Sequence, residues 1–225
     1  MSAWFWLFGT IAVYGGAKLL YQRFPSIWLT PLLVTPAIMI SALLLCGASF
    51  EQYNRKSILL TDMIEPATIG LAVMLYKHLD ILKRNVFMIA VSVGTGAIAS
   101  IVTSAGLARL FGLDAQMMET LAPRSATTPI ALSISGMLGG LPTITAVATL
   151  ITGLMGMIAG PLVVKLCRIR NPVARGLLFG TSAHSAGISK AIEFGPIAGS
   201  AAGIAMLLTA FVTLLAAPWI VSLFV

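Results

Sequence analysis

Arg124 stands in the stretch "LAPRSATTPIALS" (121–133), followed within four residues by Ser125, Thr127 and Thr128 and bracketed by Pro123 and Pro129. That grouping suits an anion. A guanidinium offers a planar fork of donors that matches a carboxylate. Proline limits how far helix can extend upstream, because it lacks an N–H and disfavours helix at the residue before it. The short helix that follows then presents unpaired N–H groups at its positive end, with hydroxyls beside them. A small carboxylate fits that combination. A plainer account also exists: Ser125 or Thr127 caps the helix and Arg124 reaches out to the bilayer surface.

A second break has the same form. Shifting the chain by 59 residues lays "TDMIEPATIGLA" (61–72) on "TLAPRSATTPIA" (120–131) and pairs Thr61 with Thr120, Ala67 with Ala126 and Thr68 with Thr127. Glu65 then falls opposite Arg124, as partner or as proton carrier. A third cluster, "GTSAHSAGISKAIE" (180–193), embeds His184 among small residues. Its imidazole titrates near neutrality and could couple or gate proton movement. The bland alternative is a neutral histidine bonded to a serine between packed helices.

The elements that hold these groups follow from composition. The chain has 225 residues, 58% hydrophobic and 9% charged, with a mean hydropathy of +0.99. Soluble domains carry about 25% charged residues, so an integral membrane protein is expected. Apolar runs long enough to span as helix, at about 20 residues, exclude the short alternating strands of a barrel. Spans are expected at 3–20, 27–46, 86–108, 143–166 and 197–223, with short helices at 67–80 and 126–139. The segment 49–57 reads as polar and interfacial, and Trp4, Phe5 and Trp6 as an interfacial aromatic cluster.

The expected fold is therefore all-α: a polytopic transmembrane bundle forming one domain over 1–225, with discontinuous or re-entrant helices. Repeat halves are placed at about 57–110 and 116–169. If each short helix dips in and returns, the repeat is inverted, as in many secondary transporters with a site between broken helices. With the N-terminus cytoplasmic, Arg55, Lys56, Lys77, Lys83, Arg84, Lys165, Arg168, Arg170 and Arg175 then all share that side, as basic residues do.

Other classes are excluded. The net charge of +7 gathers at helix ends, which is not a nucleic-acid footprint. Cys46 and Cys167 are far apart in sequence, and read as two buried thiols rather than a disulfide or metal site. No H-E-x-x-H, P-loop or G-x-S-x-G is present, so no enzyme and no cofactor are expected.

"PRSATTPIALSISGMLGGLPTITAV" (123–147), "ARGLLFGTSAHSAGISKA" (174–191) and "IEPATIGLAVMLYKHL" (64–79) resemble the signature regions of the LrgB/CidB membrane protein family, over essentially the whole chain. Arg124 stands for that family's usual lysine, Met74 for a proline, and 185–190 departs from its G-I-G-T-A-R pattern. The resemblance implies a multi-pass protein of the bacterial inner membrane, antiholin-like or holin-like, linked to control of murein hydrolase activity and autolysis. It implies a small LrgA/CidA-type membrane partner and a homo-oligomer. Relatives that move glycolate, glycerate or pyruvate imply a small monocarboxylate as substrate. The expected function is a carboxylate transporter, with Arg124, Ser125, Thr127, Thr128, Thr68 and Glu65 binding substrate and His184 or Glu65 coupling protons. The alternative is an oligomeric pore component or regulator without carrier activity.

Overall fold

A computed structural model describes residues 4–24, 26, 29–63, 66, 69, 73, 76 and 79–224, without the side chains of Lys56, Ile81 and Leu82. Glu65 and Thr68, and with them the first of the two breaks, lie outside the described residues. Ten α-helices occur among those described, and no strand. They fall into two compact units, 1–69 and 70–225.

In the first unit α1 (Trp4–Arg23) packs on α2 (Pro31–Leu45) and α3 (Phe50–Asp62). The polar segment 49–57 is helix, because the Ser49 hydroxyl caps it by accepting from the Gln52 amide at 3.3 Å. Trp6 is buried, edge-on to Tyr53, and the Tyr53 and Thr10 hydroxyls lie 3.2 Å apart.

The second unit contains α4 (Leu79–Arg84), α5 (Val86–Leu110), α6 (Ala115–Leu121), a 3-10 turn (Ala122–Ser125), α7 (Thr128–Leu138), α8 (Pro142–Leu166), α9 (Pro172–Ile192) and α10 (Pro196–Val221). Helices α5, α8 and α10 are long and apolar enough to cross a bilayer, and each falls within three residues of its expected span. The protein is an all-α membrane protein.

What lies between these long helices are two hairpins. The first runs in through α6 and the 3-10 turn and back through α7. Its closed geometry is shown by bonds between its two ends: Gln116 Nε2 donates to the Gly139 carbonyl at 3.3 Å and the Leu141 amide to Thr120 Oγ1 at 2.8 Å. The Thr145 hydroxyl at the foot of α8 reaches the Thr120 carbonyl and Ser135 Oγ. Residues 125–127 are therefore the tip.

The second hairpin is hidden in α9, which is nominally one helix. At His184 φ is 39° and ψ −127°, close to the mirror image of a type II turn's first central residue, a conformation glycine ordinarily takes. The chain reverses there. Phe179 stacks on Phe194 with ring centres 5.5 Å apart, although a straight helix would separate residues 15 apart by roughly 22 Å. A Cβ on Gly187 would overlap the Phe179 carbonyl, so only glycine permits the return limb to lie this close. The ascending limb, 172–183, is roughly 18 Å long, little more than half of a bilayer's apolar core of about 30 Å.

Packing partners fix the directions. Gly176 meets Ala198 and Ala201, and Gly180 meets Ala202 and Ala205, so the ascending limb of α9 runs parallel to α10. Against α8 it runs antiparallel, with Gly156 on Ala183 and Gly160 on Phe179. Arg109 Nη1 donates to the Phe224 carbonyl at 3.1 Å, which puts the ends of α5 and α10 together. The two hairpins consequently open at opposite ends of this unit, and a hairpin followed by a long helix occurs twice in succession, in 115–166 and in 172–221. Lys83, Arg84, Lys165, Arg168, Arg170 and Arg175 gather at one end, while Arg109, Asp114 and Glu119 belong to the other.

The expectation of buried thiols is corrected. Cys46 and Cys167 are free but exposed, each at the C-terminal cap of an apolar helix. An apolar stretch does not say which of its faces is covered by protein.

Candidate functional site

The tip of the first hairpin carries Arg124, Ser125, Thr127 and Thr128. Pro129 lies in the first turn of α7, where its missing N–H costs nothing, and Thr127 takes the cap position in extended backbone. Neither Thr127 nor Ser125 supplies a cap bond. Ser125 is 2% exposed and its hydroxyl has no partner among the described residues.

Arg124 does not reach out to a surface. Its Nε donates to Ser104 Oγ on α5 at 2.8 Å and its Nη1 to Thr152 Oγ1 on α8 at 3.2 Å. Both hydroxyls in turn donate to carbonyls one turn back in their own helices, Ser100 at 2.7 Å and Ala148 at 2.8 Å. Each hydroxyl is thereby oriented with a lone pair toward the guanidinium. The side chain is a bar between two long helices. Among the described residues Nη2 has no partner, and no carboxylate pairs with the guanidinium.

Two cavities adjoin this bar, of about 590 and 680 Å³. Arg124, Thr152, Leu178 and Ser182 belong to the walls of both. The first is hydroxyl-rich, with Ser92, Ser100, Thr103, Ser125 and Thr181 in its lining. The second is apolar, lined by Ile151, Met155 and Val163 among others. A cation fixed by neutral hydroxyls, with a free edge beside such volumes, can bind a small anion without first breaking an ion pair to a described residue.

His184 forms the other tip and is 3% exposed. Its Nε2 lies 3.0 Å from the Thr149 carbonyl. A carbonyl only accepts, so Nε2 carries the hydrogen and the neutral ring leaves Nδ1 as an acceptor. Among the described residues Nδ1 has no partner, nor have the buried hydroxyls of Thr149 and Thr209. The histidine bonds to backbone rather than to a serine, and it lines neither cavity; it reaches the arginine's site through α8.

The structure thus brings Arg124 and Ser125 to the cavities, leaves Thr127 and Thr128 at the tip outside their linings, and sets His184 on the opposite tip. Ser104, Thr152, Thr149 and Leu178 were missed by sequence reasoning. For Ser104, Thr149 and Thr152 the one available signal was hydroxyls recurring three and four apart inside the long helices: Ser100, Thr103 and Ser104, and Thr145, Thr149 and Thr152.

Residues 10–223 match the model of the LrgB-like family. Among similar proteins, the uncharacterized protein YwbG of Bacillus subtilis (strain 168) is 45% identical over 216 residues, 96% of each chain. The antiholin-like protein LrgB of Bacillus mycoides (strain KBAB4) is 34% identical over 219 residues, 97% of this chain and 95% of that one. The same identity and coverage hold for the antiholin-like protein LrgB of Bacillus cereus (strain B4264). No solved structure matches.

Proposed function

The chain belongs to the LrgB-like family, and on that premise we propose that it is a multi-pass secondary transporter for small monocarboxylates of the pyruvate or glycolate kind. It is a carrier and not an enzyme. The observation that carries this reading is the free Nη2 edge of Arg124 between two cavities, its other donors held by hydroxyls.

In this reading the carboxylate pairs with Arg124 and takes a hydrogen bond from Ser125. Glu65 and Thr68 are assigned to the binding site by their sequence relation to Arg124 and Thr127. The unpartnered Nδ1 of His184 suits proton coupling or gating, since a proton there would place charge on the opposite tip. The basic end of the bundle supports placement in a bacterial inner membrane with that end cytoplasmic. An LrgA/CidA-type partner, a homo-oligomer and an influence on murein hydrolase activity are part of the proposal. The test is uptake of radiolabelled pyruvate or glycolate into proteoliposomes. Saturable uptake that Arg124→Ala lowers by about tenfold or more supports the reading; full uptake by that variant ends it.

A second reading is a holin- or antiholin-like pore component or regulator. The antiholin-like names of relatives favour it, as does a partition of so few side chains between the cavities. Size-graded dye leakage without competition by carboxylates would support it.

A further inference from the structure

The basic end of the second unit holds a separate cavity of about 510 Å³, walled by Lys165, Arg168, Arg170 and Arg175 together with Val164 and Phe194. No carboxylate among the described residues lines it. Glu193, the acidic residue next to Phe194, is bound by Lys190 at 2.6 Å. Arg175 is fixed in place: Nε donates to the Ile169 carbonyl at 2.8 Å, and its guanidinium carbon lies 5.3 Å from the Phe194 ring centre. Lys165, Arg168 and Arg170 are exposed and unpaired among the described residues.

The backbone here is unusual. Helix α8 ends with the Ile169 amide bonded to the Val164 carbonyl five residues back at 3.0 Å, which sets Arg168 at φ 51°. Helices α2, α5 and α7 close in the same way, through Ala48 to Leu43, Leu113 to Ala108 and Gly140 to Ser135. In those three the left-handed residue is Gly47, Gly112 or Gly139, as expected where a Cβ is disfavoured. Only α8 of these four accepts a side chain at that position, and the side chain is a cation lining the cavity. Basic residues at helix ends orient a protein in its membrane. Orientation needs charge, but neither a concave wall nor a strained backbone.

The geometry points to a binding site for a phosphate group, free or esterified, at this cavity. The free ends of Lys165, Arg168 and Arg170 contact the phosphate oxygens, as guanidinium and ammonium groups commonly do. Val164 and Phe194 face the carbon chain when the phosphate is esterified. The chemistry is shared by the headgroup of an anionic phospholipid, which basic pockets at helix ends recognise, and by soluble phosphate.

The test uses the purified full chain in neutral detergent, with thermal unfolding followed on adding phosphatidylglycerol, phosphatidylcholine or inorganic phosphate. A rise of several degrees with phosphatidylglycerol and none with phosphatidylcholine or phosphate supports a lipid occupant. An equal rise with millimolar inorganic phosphate supports a soluble one. Arg168→Gly relieves the backbone, so it unfolds no lower than the parent without ligand, yet loses most of the ligand-induced rise. Arg170→Gln, which leaves the backbone alone, loses it too. Equal shifts with both lipids and none with phosphate, or the full rise retained in both variants, would overturn the site.

Discussion

Arg124 and His184, at the tips of hairpins that open at opposite ends of the bundle, are bonded to α8 three residues apart, at Thr152 and Thr149. The hydroxyl of one threonine and the carbonyl of the other receive them. A shift of α8 by one turn would break both contacts together, so that helix couples the tips mechanically.

Arg124→Ala should lower carboxylate uptake by about ten- to a hundredfold, the equivalent of one charge-assisted hydrogen bond of about 1.5–3 kcal/mol. Arg124→Lys keeps the charge without the fork and should fall between. Initial rates in proteoliposomes measure both.

Ser104→Ala and Thr152→Val each remove one anchor of the guanidinium while leaving its charge. Each should cost about 1 kcal/mol of stability and raise the KM for the anion. Because both act on one side chain, the double variant should be less than additive, as residues sharing a partner are. A KM unchanged in the double variant would show that the anchors do not position Arg124.

At His184 backbone and side chain can be separated. His184→Gly suits φ 39° and should unfold near the parent's temperature, losing one bond but relieving strain of order 1–3 kcal/mol. His184→Val puts a branched residue in that conformation and should unfold well below it. Uptake should fail in both, and its pH dependence should vanish if the glycine variant keeps any residual activity. Parent-like, pH-dependent transport by His184→Gly would remove the residue from the mechanism.

Leu178 is the large apolar side chain common to the walls of both cavities beside Arg124. Leu178→Ala should widen the passage, so that longer or branched monocarboxylates compete with pyruvate where they do not in the parent. Competition assays against labelled substrate report the change directly.

The long helices were legible because hydropathy depends on side-chain type alone, and the break before α7 because Pro123 and Pro129 stand there among hydroxyl residues, whereas Pro36, Pro161 and Pro218 lie inside helices without ending them. Arg124 stood out for its cost within an apolar chain. The reversal at His184 was not legible: the residue that turns is neither proline nor glycine, and its conformation is held by tertiary contacts to α8 and α10. Nor were Ser104 and Thr152, since a hydroxyl in a long helix bonds its own backbone whether or not it also serves an arginine. The exposure of Cys46 and Cys167 escaped for a related reason, because lipid and protein interior select the same side chains. The pairing of Glu65 with Arg124 rests on the sequence relation, as Glu65 lies outside the described residues.

The doubled-back course of α9 has a consequence for how the chain is made. Its ascending limb is too short to be laid across a bilayer as one segment, and its hydroxyl-rich tip gains little from lipid. It can settle only where α8 offers the seam of Gly153, Gly156 and Gly160, so biogenesis ends with docking rather than with insertion. Gly156→Leu, whose side chain would overlap Ala183, should therefore yield a protein delivered to the membrane in normal amount but with its second hairpin undocked. Labelling of a cysteine introduced at Ser182 by a water-soluble maleimide would show it, by a rate that differs from the parent's while membrane abundance does not.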